Sequence, residues 1–123
     1  MPNYNAQNPP YAVYPGDVVY PFNDETPAAG QASQQYAIAG AYDGAAGGGS
    51  VVRFDISYAS APTAVSVEIQ SAIDDADANY FTEYTSTNTA GESVKLTNFR
   101  GRFVRAKLVS QTTGGAITVR LER

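Results

Sequence analysis

Alternation of apolar and polar residues is the main pattern of the chain from residue 35 onward. In the segment VVRFDISYA, Val52, Phe54 and Ile56 share one side of an extended chain, and Arg53 and Asp55 point to the other side. The segments TAVSVEIQSAI and GAITVRLE repeat this period of two. A period of two is typical of a β-strand that buries one face. These segments are therefore predicted to be half-buried strands.

Seven segments of this kind follow one another, separated by short clusters of Gly, Asp, Asn, Ser and Thr. In order they are QYAIAGAY, VVRFDISYA, TAVSVEIQSAI, YFTEYTST, ESVKLTNF, RFVRAKLVSQ and GAITVRLE. None of them shows the 3.6-residue period of a helix. Short strands at such spacing predict an all-β fold, an antiparallel β-sandwich or jelly roll of about seven to eight strands.

The N-terminal part of the chain has a different composition. Six of the seven prolines lie within residues 1–27, and four of the nine tyrosines lie within residues 1–20. Proline cannot donate a hydrogen bond to a sheet, so we predict an extended arm over residues 1–34 and a β-sandwich domain over residues 35–123. The aromatic residues of the arm need a surface to pack on. That surface is either a neighbouring protein, which the prolines favour, or the arm's own sandwich.

Composition limits the chemistry that the chain can perform. Its 123 residues suit one domain, and they include no cysteine, histidine or tryptophan. Disulfides, thiolate chemistry and the commonest zinc ligands are therefore excluded, and we expect no cofactor, metal or catalytic residue. The N-terminus lacks the features of a signal peptide, and no apolar run is long enough to span a bilayer. We expect a non-enzymatic protein that is made in the cytoplasm.

Two short stretches match known ligand-binding loops only in part. The stretch DDADAN places Asp75, Asp77 and Asn79 at the first three ligand spacings of a calcium loop, but Tyr80 occupies the place of the required glycine. A solvated turn is the favoured interpretation, and a weak cation site stays open. The stretch GAAGGGS lacks the following Lys-Ser or Lys-Thr of a phosphate-binding loop and is interpreted as a flexible connection.

The charges are divided unevenly along the chain. Residues 1–94 contain one cation and eleven acidic residues, whereas residues 95–123 contain seven cations and one acidic residue. The predicted hairpin RFVRAKLVSQTTGGAITVRL directs Arg105, Lys107 and Arg120 outward. The acidic body disfavours nucleic acid as their partner. We therefore predict that they contact an acidic neighbour, such as a sister subunit in a homo-oligomer; alternatively, strands of one subunit neutralise each other.

The last two-thirds of the chain resembles a known class of proteins. The succession VSVEIQSAIDDADANYFTEYTST, VKLTNFRGRFVRAKLVS and TTGGAITVRLER resembles small β-sandwich structural proteins of tailed-phage virions, and capsid decoration (cementing) proteins fit best. The resemblance covers roughly residues 50–123. It implies a homotrimer on the capsid surface of a virion, assembled in the host cytoplasm, that binds the major capsid protein and bridges capsid subunits. Neither a membrane nor nucleic acid is an expected partner.

On this interpretation, aromatic residues of the arm anchor the protein and basic residues of the hairpin complete the interface. The expected partner-binding residues are Tyr11, Tyr14, Tyr20, Phe22, Arg105, Lys107 and Arg120. The alternative is a receptor- or carbohydrate-binding module of a phage tail or fibre. That function needs an exposed aromatic platform, for which Tyr80, Phe81 and Tyr84 are the candidates.

Overall fold

The computed structural model describes residues 11–39 and 50–123, which form ten β-strands and one 3₁₀ helix. The strands are β1 (Tyr11–Val13), β2 (Val18–Glu25), β3 (Gln31–Ala32), β4 (Tyr36–Ile38), β5 (Ser50–Tyr58), β6 (Ala64–Ala72), β7 (Phe81–Ser86), β8 (Glu92–Phe99), β9 (Phe103–Thr112) and β10 (Ile117–Glu122). The 3₁₀ helix, Asp77–Asn79, lies between β6 and β7. The glycine-rich stretch GAAGGGS lies outside the described residues except for Ser50.

The strands form two sheets. Sheet A has the order β1-β4-β9-β6-β7, and β3 also pairs with β9; sheet B has the order β2-β10-β5-β8. Every pairing is antiparallel except that of β1 with β4. The prediction of an all-β sandwich is confirmed. Its finer assignment as a jelly roll stays a prediction.

The core lies between the sheets and is built by the alternation seen in the sequence. Val52, Phe54 and Ile56 of β5 are at most 3% exposed, while Arg53 on the same strand is exposed. Other buried side chains are Val65, Val67 and Ile69 of β6, Val104, Ala106 and Leu108 of β9, and Ile117, Val119 and Leu121 of β10. Each strand thus buries one face and leaves the other for solvent or a partner.

The N-terminal segment belongs to the sandwich, which corrects the predicted domain boundary between residues 34 and 35. Residues 1–10 of the predicted arm lie outside the described residues, but β1, β2 and β3 are members of the two sheets. Val13 and Phe22 are fully buried in the common core. The sequence-based prediction therefore missed β1, β2 and β3, because proline was taken to exclude residues 1–34 from the sheets.

Prolines are accommodated because β2 is an outermost strand with an irregular ladder. Val19 pairs with Leu121 and Phe22 with Val119, so three steps along β2 match two steps along β10. Pro21 falls in this β-bulge, where its missing N–H breaks no regular ladder bond. A proline-rich segment can therefore supply an edge strand.

The strand pairings place the connections at two opposite ends of the sandwich. One end, which we call the arginine end, carries the connections of residues 14–17, 73–80 and 100–102. The other end, the glycine end, carries the connections of residues 26–30, 59–63, 87–91 and 113–116. Large apolar side chains that are exposed in the described part of the chain are those of Tyr11, Tyr14, Val18, Tyr20, Ile73 and Phe81. None of these belongs to a connection of the glycine end.

Candidate binding surfaces

Exposed aromatic side chains line one side of the sandwich, along the outermost strands β1 and β2. Tyr11 is 57% exposed, Tyr14 54% and Tyr20 44%, and Val18 lies beside them at 40%. We call these four residues the aromatic edge. The structure thus brings three of the four predicted aromatic anchors to one side of the molecule, and their role as partner contacts stays a prediction.

The turn that carries Tyr14 is held by backbone hydrogen bonds. The Tyr14 N–H donates to Oδ2 of Asp17 (2.9 Å), and the Asp17 N–H donates to the Tyr14 carbonyl (2.9 Å). Gly16 takes a φ of 91°, which favours glycine, and its N–H donates to the Arg123 carbonyl (3.1 Å). The aromatic edge therefore stands on ordered backbone, which lowers the entropy lost when a partner binds.

Tyr36 connects the aromatic edge to the core. Its ring stacks on that of Tyr11, with 6.5 Å between centroids, and its hydroxyl donates to the Tyr20 carbonyl (3.1 Å). The amide of Gln34 donates to the same hydroxyl (2.6 Å). Burial raises the pKa of Tyr36 above its ordinary value. Tyr36 thus ties β1 of sheet A to β2 of sheet B.

Phe22 is not available as an exposed anchor, which corrects the sequence-based expectation. Its side chain is fully buried. Strict alternation would place Tyr20 and Phe22 on the same face, but the bulge in β2 turns Phe22 inward while Tyr20 stays outside. Removing a buried phenylalanine ring costs about 3–5 kcal/mol in comparable cores. Phe22 therefore stabilises the fold.

Arg105 lies on the outer face of sheet A, as expected, but it is covered and binds residues of its own chain, which corrects the expectation that it is exposed to a partner. The residue is 6% exposed. Its Nε–H donates to Oε1 of Gln70 (2.9 Å), its Nη1 forms an ion pair with Asp77 (2.5 Å), and its guanidinium lies 4.0 Å from the ring centroid of Tyr80. The connection between β6 and β7 folds over the outer face of sheet A and covers this guanidinium. Arg105 holds that connection in place.

The stretch DDADAN, interpreted from the sequence as a solvated turn, supplies counter-charges to this network. Asp75 accepts hydrogen bonds from the Gln35 amide (3.0 and 3.2 Å) and from the Tyr80 hydroxyl (2.8 Å). Burial, followed by the hydrogen bond to Asp75, raises the pKa of Tyr80. No cluster of three or more metal-ligating residues occurs in residues 11–39 and 50–123. The acidic side chains Asp75 and Asp77 therefore have partners of their own in this turn.

Arg120 belongs to a checkerboard of opposite charges on the outer face of sheet B. It lies directly across from Asp55 and forms an ion pair with it at 2.9 Å, and it pairs along β10 with Glu122 at 2.9 Å. Arg53 pairs in the same way with Asp55 (3.3 Å) and Glu122 (3.9 Å). We call these four residues the charge checkerboard. Each cation has one acid across the ladder and one along its own strand.

Asp55 accepts hydrogen bonds from more side chains than Glu122, the other carboxylate of the checkerboard. The Ser93 hydroxyl donates to it, as do the guanidinium groups of Arg120 and Arg53. These contacts, led by the Ser93 hydrogen bond, hold the pKa of Asp55 below its ordinary value. Asp55 is thus ionised and structurally engaged.

The ion pairs support the alternative that one subunit neutralises its own charges. Arg105 pairs with Asp77, Arg120 pairs with Asp55, and both acids come from the acidic first part of the chain. Lys107 is half-buried on the outer face of sheet A, where Glu68 lies opposite on β6. Two of the seven cations in residues 95–123 are thus paired with acidic residues from the first part of the chain, and contacts of Lys107 and Arg120 with a partner stay predictions.

The three aromatic residues proposed as a sugar platform do not form one exposed surface. The Tyr80 ring is covered by the Arg105 guanidinium. The half-buried Tyr84 donates its hydroxyl to Glu92 (2.8 Å), which raises the pKa of Tyr84, and Ser86 donates to the other oxygen of Glu92. Only Phe81, at 56% exposure, presents a free face. Of the three rings, only that of Phe81 is therefore accessible for stacking against a sugar.

A cavity of about 270 Å³ opens at the glycine end, between the connections of residues 26–30 and 113–116. Its lining includes Pro27, Leu108, Gln111 and Thr113, and no titratable side chain contributes to it. The carboxylates of Asp55, on sheet B, and Glu68, which accepts a hydrogen bond from the Gln70 amide on sheet A, do not line this cavity. The cavity and the carboxylates are therefore separate features.

One surface was missed by the sequence interpretation. Ile73 is 65% exposed and Phe81 56%, and both lie at the arginine end near the exposed Arg100 and Arg102. The sequence contains a signal, because an Arg-Gly-Arg connection follows the strand segment ESVKLTNF. Whether this connection contributes to a surface depends on which strand ends lie beside it, and that depends on the tertiary structure.

Comparison with known proteins gave no matching family model, no similar curated protein and no similar solved structure. In the part of the chain that the structure describes, no helix has the length and apolar character needed to cross a membrane. The candidate surfaces are therefore argued from their own geometry.

Proposed function

We propose that the protein is a non-enzymatic virion structural protein that decorates a phage capsid and stabilises it by bridging capsid subunits. The observation that carries this proposal is the aromatic edge, in which Tyr11, Tyr14 and Tyr20 are each about half exposed along β1 and β2. Tyrosine is favoured in protein interfaces because it combines a large apolar ring with a polar tip. The resemblance carried by residues 50–123 directs the proposal to a virion.

The strands beneath the aromatic edge add a second means of binding. In the described part of the chain, β1 pairs only with β4 and β2 pairs only with β10. The outer backbone groups of these strands point away from their sheets, where a partner can add its own strand. A decoration protein needs contacts of this kind because it must hold a large, preformed shell rather than a small ligand.

The test uses phage heads purified from a lysate in which the gene for this chain is deleted. Added wild-type protein is expected to sediment with the heads and to saturate at a fixed ratio. The double variant Tyr11→Ser/Tyr14→Ser is expected to bind at least about tenfold more weakly, because two interface tyrosines contribute more than 1.4 kcal/mol together. Thr85→Ala, an exposed position on β7 at the opposite side of sheet A, is the matched control.

Melting temperatures of all three proteins must agree for this comparison to report on binding. Deleting residues 1–27 is unsuitable, because it removes Val13 and Phe22 from the core. Wild-type protein that fails to sediment with the heads contradicts the proposal. Binding that is unchanged in Tyr11→Ser/Tyr14→Ser removes the aromatic edge from it.

A further inference from the structure

The exposed side chains Ile73, Phe81, Arg100 and Arg102 form a second surface that is separate from the aromatic edge. The pairing of β6 with β7 sets Phe81 opposite Ser71, and Ile73 follows Ala72, the last residue of β6. From this register we infer that Ile73 lies diagonally near Phe81. Ser71 is fully buried, whereas Ile73 is 65% exposed and Phe81 56%. Two apolar side chains are thus exposed at the arginine end of the sandwich.

Backbone contacts bring the two arginines to these apolar side chains. The Arg102 N–H donates to the carbonyl of Ala72 (3.0 Å), the residue before Ile73. Between the arginines, Gly101 is pressed against sheet A, because a Cβ placed on it would lie 2.5 Å from the Cβ of Ser71. The three-residue connection is therefore tightly seated, and it presents Arg100 and Arg102 on either side of a buried glycine.

The ion pairing of Arg100 and Arg102 differs from that of the arginines on the strands. Arg53, Arg105 and Arg120 all form ion pairs. In the described residues no ion pair involves Arg100 or Arg102, and both are exposed. Two cations that form no ion pair within the described residues are thus available beside exposed apolar groups.

We propose that Ile73, Phe81, Arg100 and Arg102 form a docking surface for an acidic protein segment in which carboxylates flank an apolar side chain. Guanidinium groups bind carboxylates with paired hydrogen bonds, and Ile73 and Phe81 provide the apolar contact. The exposed Asp74, next to Ile73, disfavours a continuous polyanion such as nucleic acid. Together with the aromatic edge, this surface makes the molecule bivalent, and it goes beyond the proposed function by defining a second partner.

The first experiment titrates isotope-labelled full-length protein with a synthetic peptide in which Asp and Glu residues flank a Leu-Phe pair, followed by NMR. Shifts are expected at Ile73, Phe81 and residues 100–102. Arg100→Glu/Arg102→Glu is expected to weaken binding by at least about tenfold, because attraction becomes repulsion. Lys95→Glu makes a similar charge change at another exposed cation, on β8, and is expected to leave binding nearly unchanged.

The second experiment defines what the surface recognises. A peptide with serines in place of Leu-Phe, a charge-reversed peptide and a single-stranded oligonucleotide are each expected to bind more weakly than the first peptide. Equal or tighter binding of any of them overturns the proposal, as does a shift pattern located away from Ile73 and Arg102. Sedimentation velocity of the protein alone tests a second copy: self-association that Arg100→Glu/Arg102→Glu abolishes would assign the surface to a sister subunit and contradict the proposal.

These outcomes are distinguishable from those of the proposed function. The peptide titration reports on Arg100 and Arg102, and the head-binding assay reports on Tyr11 and Tyr14. Unchanged peptide binding by Tyr11→Ser/Tyr14→Ser is expected, because these tyrosines belong to β1 and the connection after it, whereas the arginines belong to the connection between β8 and β9.

Discussion

The two outer faces of the sandwich both carry ion-paired arginines, but the arginines stand in different surroundings. On sheet A, Arg105 is 6% exposed and lies beneath the connection of residues 73–80. On sheet B, Arg120 remains about one-third exposed in the charge checkerboard. A buried charge depends on its partners much more than an exposed one does. The same residue type is therefore expected to be structural on sheet A and replaceable on sheet B.

The two faces also differ in whether their arginines are accessible to a partner protein. The sheet A network is already closed, because Arg105 is shared by Gln70, Asp77 and Tyr80. The checkerboard on sheet B is open to solvent, so its ion pairs can exchange for contacts with another protein at low cost. Of the two arginines predicted at the interface, Arg120 is the one that remains accessible.

The largest expected effect is the loss of stability on removing Arg105. Arg105→Ala leaves Asp77 and the side-chain oxygen of Gln70 without their donor and uncovers the Tyr80 ring, so we expect a loss of about 3 kcal/mol. Arg120→Ala is expected to lower stability much less, because its pairs are exposed and screened. Urea denaturation of both variants measures the difference. Equal losses would contradict the contrast between the faces.

A smaller effect is expected in alkaline solution, and it belongs to sheet A. The folded protein holds the phenolic proton of Tyr80 more tightly than the unfolded chain does, since burial raises the pKa of Tyr80 from its ordinary value of 10.0. Stability is therefore complete below that value and falls as the pH rises past it. Tyr80→Phe is expected to flatten this fall in denaturation curves at increasing pH. An unchanged slope would show that Tyr80 ionises freely in the folded state.

The smallest effect is expected in acid, and it belongs to sheet B. Ser93 and the arginines hold the pKa of Asp55 below its ordinary value of 3.8, so the unfolded chain takes up a proton first. The stability that Asp55 contributes is present above 3.8 and is lost as the pH falls below it. Asp55→Asn is expected to reduce the acid slope slightly. Since Asp55 is partly exposed, a slope change larger than that of Tyr80→Phe at high pH would reverse the ranking of the faces.

The sequence predicts much of the fold because the alternation of apolar and polar residues identifies most of the strands and their buried faces. The seven alternating segments correspond to β4 to β10, and their inward residues Phe54, Ile69 and Val119 are buried as expected. The three N-terminal strands escape prediction for a physical reason. Proline weakens the strand signal of β2, and the bulge that accommodates Pro21 also breaks the alternation between Tyr20 and Phe22.

The candidate sites are less predictable because they depend on contacts between distant segments. Arg105 and Arg120 occupy equivalent outward positions in their strands, and nothing local to either reports that residues 73–80 fold over only one of them. Arg102 likewise becomes part of a surface through its hydrogen bond to Ala72. Exposure of an individual tyrosine such as Tyr14 follows from local sequence, whereas the grouping of side chains into a surface requires the topology.

The position of β2 has a consequence for the order of folding. Its strand partner in the described structure is β10, and the backbone N–H of Asp24 donates to Oγ1 of Thr118, 94 residues away in sequence (3.0 Å). During synthesis the segment Val18–Glu25 therefore emerges long before the strand that completes it. Until then the Phe22 side chain is exposed to solvent. Pairing of β2 with β10 is slow because the two strands are far apart in sequence. The nascent chain thus exposes Phe22 until the last strand has been made, and Pro21, Asp24 and Glu25 beside it limit the tendency of this segment to aggregate in the meantime.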